Sequence, residues 1–166
     1  MSFSNPLNVF PQPGHDHDLC ASAALKIAED KCRLRGLRFT PLRRRVLEIV
    51  WAQHGPSGAY DILGKLRGDK QKAAPPTVYR ALEFLVENGF VHKIESLNAF
   101  VGCGGAEQSH NSQFLICGKC NQIGELDDPE ISALIEKKAK NMGFRVDQPT
   151  VEIMGLCSAC EIESDA

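Results

Sequence analysis

The sequence has 166 residues, of which 43% are apolar and 24% charged, with a formal net charge of −2. This length allows one sizeable core or two small ones. No apolar run approaches the roughly 20 residues that span a bilayer, and the first residues lack the pattern of a signal peptide. We therefore expect a cytoplasmic protein without a membrane partner, whose seven cysteines are metal ligands or reactive thiols rather than disulfides.

The charge is divided unevenly along the chain. The first 100 residues contain 14 basic and 10 acidic residues, whereas the remainder contains 5 and 11. The most basic stretch, Arg33 to Arg45, has six arginines and no acidic residue. Such a stretch could follow a phosphate backbone or be an ordinary solvated surface. The elements that follow it favour DNA.

The N-terminal segment, residues 1–17, contains three prolines and no helical or strand period, which predicts a mobile tail. Its HDHDLC end offers a possible metal site at His15, His17 and Cys20, but short tails with two histidines are usually just solvated.

Three helices are predicted after the tail. Apolar residues recur at helical spacing over residues 19–35, and a second helix begins with Thr40 as N-cap and Pro41 as its first residue. A third short helix runs from about Ser57 to Arg67. The inward-facing residues of the second and third helices are expected to be Val46, Leu47, Ile49, Val50, Tyr60, Leu63 and Leu66.

The fourth helix, in the segment APPTVYRALEFLVENG, exposes Thr77, Tyr79 and Arg80 near its beginning. A recognition helix presents such side chains to base edges in the major groove, although on helix geometry alone an ordinary structural helix is an equal alternative. The runs FVHKIES and NAFVGC follow, and their alternation predicts a hairpin, or wing. Four helices and a wing in this order predict a winged helix-turn-helix domain.

Two CxxC pairs lie in the second half of the chain, Cys117 with Cys120 and Cys157 with Cys160. Four thiolates form a tetrahedral zinc set, and the 36 intervening residues allow a strand, a helix and a return strand. Two redox motifs or two disulfides are the alternatives. A domain of about 65 residues has a small core, so zinc would hold it together. Its exposed apolar faces suggest pairing with a second copy.

A second possible ligand set is less distinctive. It consists of His92 in the wing, Cys103 at the end of the wing, His110 in the next loop and Glu125. Mixed imidazole, thiolate and carboxylate ligands suit zinc, and these come from both predicted domains. No single spacing is diagnostic, so packed or solvated side chains remain the alternative.

From about Ala24 to Cys160 the chain resembles the ferric uptake regulator family, and within it the zinc-sensing members. The motifs that carry the resemblance are RFTPLRRRVLEIV, PPTVYRALEFLVENGFVHKIES, both CxxC pairs and the order His92, Cys103, His110, Glu125. It implies a homodimeric repressor of zinc-uptake genes that binds palindromic operator DNA when metal is plentiful. Tyr60, Tyr79 and Arg80 are then DNA contacts, and the second set is a regulatory site, giving two Zn²⁺ per subunit.

Two features distinguish this chain within the family. Iron-sensing relatives have a histidine-rich run before the first CxxC pair, whereas this loop reads GGAEQSHNSQ. Together with the soft thiolate of Cys103, this favours zinc over iron or manganese. Some zinc regulators share an acid–arginine contact between adjacent dimers, but this chain has Gly64 at the acidic position and keeps only Arg67.

The sequence as a whole predicts an α+β protein with three parts. These are a tail (1–17), a winged helix-turn-helix DNA-binding domain (18–100) and an α/β dimerisation and metal-binding domain with a four-cysteine zinc site (101–166). Arg43 and Arg44 are added to Thr77, Tyr79 and Arg80 as candidate DNA contacts. An enzyme with a small-molecule substrate is disfavoured, because four ligands close the second site and no spare base lies nearby. Sensing of another metal and a zinc-ribbon adaptor are the alternative functions.

Overall fold

The computed structural model describes most of the chain: residues 17–52, 55–69, 73–104, 112–147 and 149–162. Of these, residues 17–104 form an N-terminal unit and residues 112–162 form a C-terminal unit. None of the helices in these ranges is long and apolar enough to cross a membrane.

Four helices make up most of the N-terminal unit: α1 (His17–Leu34), α2 (Pro41–Trp51), α3 (Ala59–Gly68) and α4 (Pro75–Glu87). The start of α2 confirms the prediction, because Thr40 is the N-cap and its hydroxyl accepts a hydrogen bond from the backbone N–H of Arg43. The predicted inward residues of α2 are buried. They pack with α1, α3 and α4 in one core.

The predicted orientation of α3 is wrong in one respect. Ser57 and Gly58 form a short strand, β1 (Ser57–Gly58), so the helix begins later than expected. Its buried residues follow the i, i+3, i+4, i+7 pattern and are Ala59, Ile62, Leu63 and Leu66. Tyr60 lies about 100° around the helix from Ala59 and is 72% exposed. It belongs to the outer surface and not to the core.

The wing is present as predicted. Strands β2 (Val91–Ile94) and β3 (Ala99–Gly102) pair antiparallel, with His92 opposite Val101 and Val91 opposite Gly102. A single 3₁₀ turn and Asn98, at φ 46°, connect them. The strand order is β1-β3-β2. The N-terminal unit is therefore a winged helix-turn-helix in which α4 immediately precedes the wing.

The C-terminal unit is a three-stranded sheet with two helices. Its elements are β4 (Gln113–Cys117), β5 (Ile123–Leu126), α5 (Pro129–Asn141), β6 (Val151–Gly155) and α6 (Ser158–Ile162). The strand order is β5-β4-β6, with β4 antiparallel to β5 and parallel to β6. The carboxylate of Asp128 caps α5 by accepting hydrogen bonds from two backbone N–H groups. The short helix α6 was not predicted.

Few apolar side chains are buried in the C-terminal unit. Among its described residues, α5 buries none, and the buried apolar side chains of the sheet are Phe114, Ile116 and Ile123. Several large apolar side chains are exposed instead: Leu134, Met142, Phe144, Ile153, Met154, Leu156 and Ile162. Both features agree with a domain that depends on bound metal and on a partner surface.

Candidate metal centres and DNA-binding surface

The two CxxC pairs meet at one end of the C-terminal sheet. Cys117 is the last residue of β4 and lies opposite Gly155 in β6, so parallel pairing brings Cys157 next to it. The backbone N–H of Cys157 points at the Cys117 sulfur, with 3.4 Å between the two atoms. All four sulfur atoms lie within 4.8 Å of one another. Local turns aim each pair inward, and the sheet joins the pairs.

The geometry of this cluster fits zinc. Four sulfurs held tetrahedrally at about 2.3 Å from one ion are about 3.8 Å apart, and the sulfurs of Cys120 and Cys157 are 3.8 Å apart. The first turn is closed by Asn121, whose φ of 56° is left-handed and whose N–H donates to the Cys117 carbonyl. None of these four cysteines forms a disulfide in this structure, which does not support the disulfide alternative.

The local environment favours one thiolate in the cluster and opposes another. Backbone N–H groups of Cys120 and Cys157 point at the sulfur of Cys117 and lower its pKa to about 6. Burial raises the pKa of Cys160 to about 12, and hydrogen bonds with the neighbouring cysteines add to the effect. A metal ion must therefore displace at least the Cys160 proton in order to bind all four sulfurs.

Zinc binding to this cluster is expected to weaken as the pH falls. Between pH 8 and 7, loss of the Cys160 proton makes the apparent affinity drop at least about tenfold per pH unit. Below pH 6 the dependence steepens, because Cys117 also becomes protonated in the metal-free protein. Competition with a zinc chelator at a series of pH values measures this, and an affinity independent of pH contradicts the assignment.

Two members of the second ligand set lie together at the base of the wing. His92 is half-buried on β2, and Cys103 follows β3 and is 2% exposed. The N–H of Cys103 donates to the carbonyl of Phe90, which continues the ladder beyond β3. A ring nitrogen of His92 and the sulfur of Cys103 lie within 4.8 Å of each other. One imidazole and one thiol group are thus already close together.

The other two members belong to the C-terminal part of the chain. Glu125 lies on β5, where its carboxylate accepts a hydrogen bond from the hydroxyl of Ser112. His110 lies outside the described residues, as does His15 of the tail. The side chain of His17 is also outside them, although Cys20 is a half-buried residue of α1. The complete four-residue set and the tail site stay predictions.

The exposed side of α4 has side chains suited to contact with base edges, and it is called the reading surface below. Thr77, Tyr79 and Arg80 are all exposed, Tyr79 by 39%. Among the residues that the structure describes, Arg80 has no hydrogen-bond or ion-pair partner, so its guanidinium is free for a ligand. The N-cap of α4, Ala74, makes no side-chain hydrogen bond to the first turn. The first two residues of the helix, Pro75 and Pro76, have no backbone N–H. The polar groups that this end of α4 offers to a ligand are therefore mainly side chains.

The arginines at positions 43–45 are engaged within the N-terminal unit. The guanidinium of Arg43 stacks over the Phe84 ring, 3.5 Å from its centre, and Arg44 pairs with Glu29 and Glu48. Arg45 donates to Asp69 and Glu48. These contacts join the helices to one another. No pattern in the sequence indicated them, and a DNA role for Arg43 and Arg44 stays a prediction.

Comparison with known proteins shows the family of this chain. Residues 34–154 match the ferric uptake regulator family. The chain is 42% identical over 139 residues to the zinc uptake regulation protein of Escherichia coli K12, covering 82% of this chain and 81% of that protein. It is 28% identical to the peroxide operon regulator of Bacillus subtilis 168, covering 84% and 95%.

Two solved structures have a similar fold. One is a zinc uptake regulator complexed with zinc and DNA, with a TM-score of 0.84 and 39% identity, covering 88% of this chain and 98% of that one. The other is holo XcZur, with a TM-score of 0.77 and 40% identity, covering 89% and 99%.

Proposed function

We propose that this chain, which belongs to the ferric uptake regulator family, is a zinc-responsive repressor of zinc-uptake genes that binds palindromic operators as a zinc-loaded homodimer. The observation that carries the proposal is the pairing of His92 with Cys103 at the base of the wing. A soft thiolate beside an imidazole favours zinc over iron or manganese. As a regulator of transcription and not an enzyme, the protein acts in the cytoplasm.

The proposed regulatory zinc is held by His92, Cys103, His110 and Glu125, which makes two Zn²⁺ per subunit with the four-cysteine site. The zinc ion would supply a positively charged centre that these four side chains coordinate. Because the four ligands belong to different units, their coordination of one ion would restrict how far the two units can move relative to each other. Two recognition helices must be about 34–36 Å apart to read adjacent half-sites, and the restriction would favour that spacing.

The proposed DNA contacts are the exposed side chains of α4 and the neighbouring α3. Arg80 can donate two hydrogen bonds to a guanine, while Thr77 and Tyr79 can contact a base edge or a phosphate. Tyr60 is on the exposed side of α3. Arg43 and Arg44 would contribute mainly by positive charge, since their guanidinium groups already have partners. A zinc-ribbon adaptor would not need this reading surface.

A second copy of the chain is the proposed partner of the C-terminal unit. Its exposed apolar residues include Met142 and Phe144 after α5, and Ile153 and Met154 on β6. Burying such side chains against an identical surface gives the two-fold symmetry that a palindromic operator requires. The affinity for operator DNA should then depend on protein concentration as well as on zinc.

The test is a DNA-binding titration at controlled free zinc, with iron and manganese as comparators. We expect zinc to switch on binding to a palindromic operator, and Cys103→Ser to abolish this response while the zinc of the four-cysteine site is retained. Cys20→Ser is the matched control, because Cys20 is outside both ligand sets, and it should behave like the wild type. Binding that ignores zinc, or that survives Cys103→Ser unchanged, contradicts the proposal.

A further inference from the structure

The single tryptophan of the sequence packs directly against the wing. Trp51 is the last residue of α2, and its indole lies over Gly102 in β3. A Cβ atom added to Gly102 would be 2.6 Å from the indole Nε1 and 2.8 Å from Cδ2, and closer still to Cε2. The indole thus occupies the space of a side chain at position 102. Glycine is required there for steric reasons.

This contact supports the strand from the face opposite the metal ligands. Side chains alternate along a strand, and Val91 lies opposite Gly102 while His92 lies opposite Val101. His92 and Cys103 therefore project from one face of the hairpin. The space above Gly102, filled by the indole, is on the other face. Cys103 is the next residue along the chain, so a displacement of Gly102 would also move its sulfur.

The indole is held by packing alone. Its Nε1 atom is buried, and among the described residues no hydrogen-bond acceptor reaches it. The position of the indole consequently depends on close contact with the backbone at Gly102. The same helix, α2, packs against both β3 and α4. It connects the strand that precedes Cys103 with the proposed reading surface on α4.

We propose that Trp51 and Gly102 are a positioning pair for the regulatory zinc ligands, holding Cys103 at the distance from His92 that one ion requires. The inference rests on the proposed function, since it assumes that His92 and Cys103 bind the regulatory zinc. Neither residue contacts the ion. Their effect is on the geometry of the strand, and on its coupling through α2 to α4.

The test measures the affinity of the second zinc ion, with zinc alone as the probe, on protein whose four-cysteine site is already loaded. We expect Gly102→Ala to weaken this affinity roughly 10- to 100-fold, as the loss of a support to a metal ligand typically does. Gly64→Ala is the matched control, because a Cβ atom there meets nothing within 4 Å, and its zinc affinity should equal that of the wild type.

Rescue distinguishes positioning from a general loss of structure. In the double variant Gly102→Ala, Trp51→Leu, the smaller side chain makes room for the added methyl group, and we expect most of the zinc affinity to return. Wild-type affinity in Gly102→Ala, or a double variant no better than the single one, overturns the inference. In either case Cys103→Ser shows which proposal has failed. If Cys103→Ser also keeps the second zinc ion, the proposed regulatory site is wrong. If Cys103→Ser loses that ion, the site stands and only the positioning role of Trp51 and Gly102 is wrong.

The wild-type protein provides a measurement that does not depend on the folding of any variant. Because Trp51 is the single tryptophan, tryptophan fluorescence reports on the surroundings of this one indole. We expect its emission to change as the second equivalent of zinc binds and to be unchanged on that addition in Cys103→Ser. Constant emission throughout the second equivalent in the wild type overturns the inference even if Gly102→Ala does not fold.

Discussion

Replacing Cys117 with serine is expected to release one zinc ion per chain and to unfold the C-terminal unit. Cys117 ends β4 and contacts the second CxxC pair through the N–H of Cys157. The unit has little else to hold it, because among its described residues α5 buries no side chain. Structural zinc sites typically contribute about 10–16 kcal/mol of apparent binding free energy, which exceeds the whole stability of most small domains.

The measurement is zinc content together with an NMR or circular dichroism spectrum of the purified variant. We expect the resonances of the helical N-terminal unit to keep the dispersion of a folded domain, since this unit has its own core. The resonances of the C-terminal sheet should lose that dispersion, and the dimer should dissociate. Cys20→Ser should change neither property. A Cys117→Ser protein that keeps a folded sheet without zinc would show that the cluster is not structural.

Replacing Arg80 with alanine is expected to remove specific operator recognition while leaving both zinc sites intact. The side chain is exposed on α4 and has no ion-pair partner among the described residues, so its loss should disturb little in the free protein. A good bidentate contact to a base is worth about 1–3 kcal/mol of discrimination. The variant should therefore bind the operator roughly 5- to 150-fold more weakly, with little loss on unrelated DNA.

Binding to operator and unrelated DNA at several salt concentrations measures this effect. Arg80→Lys should behave almost like the alanine variant on the operator, because lysine keeps the charge but not the paired donors. Arg33→Ala is the control, since Arg33 is exposed and paired with Asp30 on α1. If Arg80→Ala loses affinity equally for all sequences, Arg80 contacts phosphate and another residue reads the operator.

The parts of the fold that sequence predicted correctly are those set by nearby residues. The cap at Thr40, the apolar period of α2 and the hairpin of β2 and β3 all depend on side chains within a few positions. The two CxxC pairs were equally visible, because each is one local turn. The sheet was needed only to bring the two pairs to one point. The length of the segment between them was enough to predict that this was possible.

The errors and omissions came from contacts between distant segments. The predicted inward orientation of Tyr60 was wrong because α3 packs against α2 and α4 with a different face, which consists of Ala59, Ile62, Leu63 and Leu66. The stacking of Arg43 on Phe84 joins α2 and α4, and the two residues are far apart in the sequence. The same holds for Trp51 and Gly102, which look like an ordinary aromatic and an ordinary strand glycine until the indole is seen above the backbone.

The parallel pairing of β4 and β6 affects the order in which the protein folds. Each of their hydrogen bonds closes a loop of roughly 40 residues, whereas the N-terminal helices form from neighbours along the chain. Long loops make the sheet slower to form, and zinc would stabilise it only after the two CxxC pairs have come together. Chains synthesised during zinc scarcity would have a folded N-terminal unit but no folded surface for dimerisation. The number of functional dimers would then depend on the zinc supply at the time of synthesis.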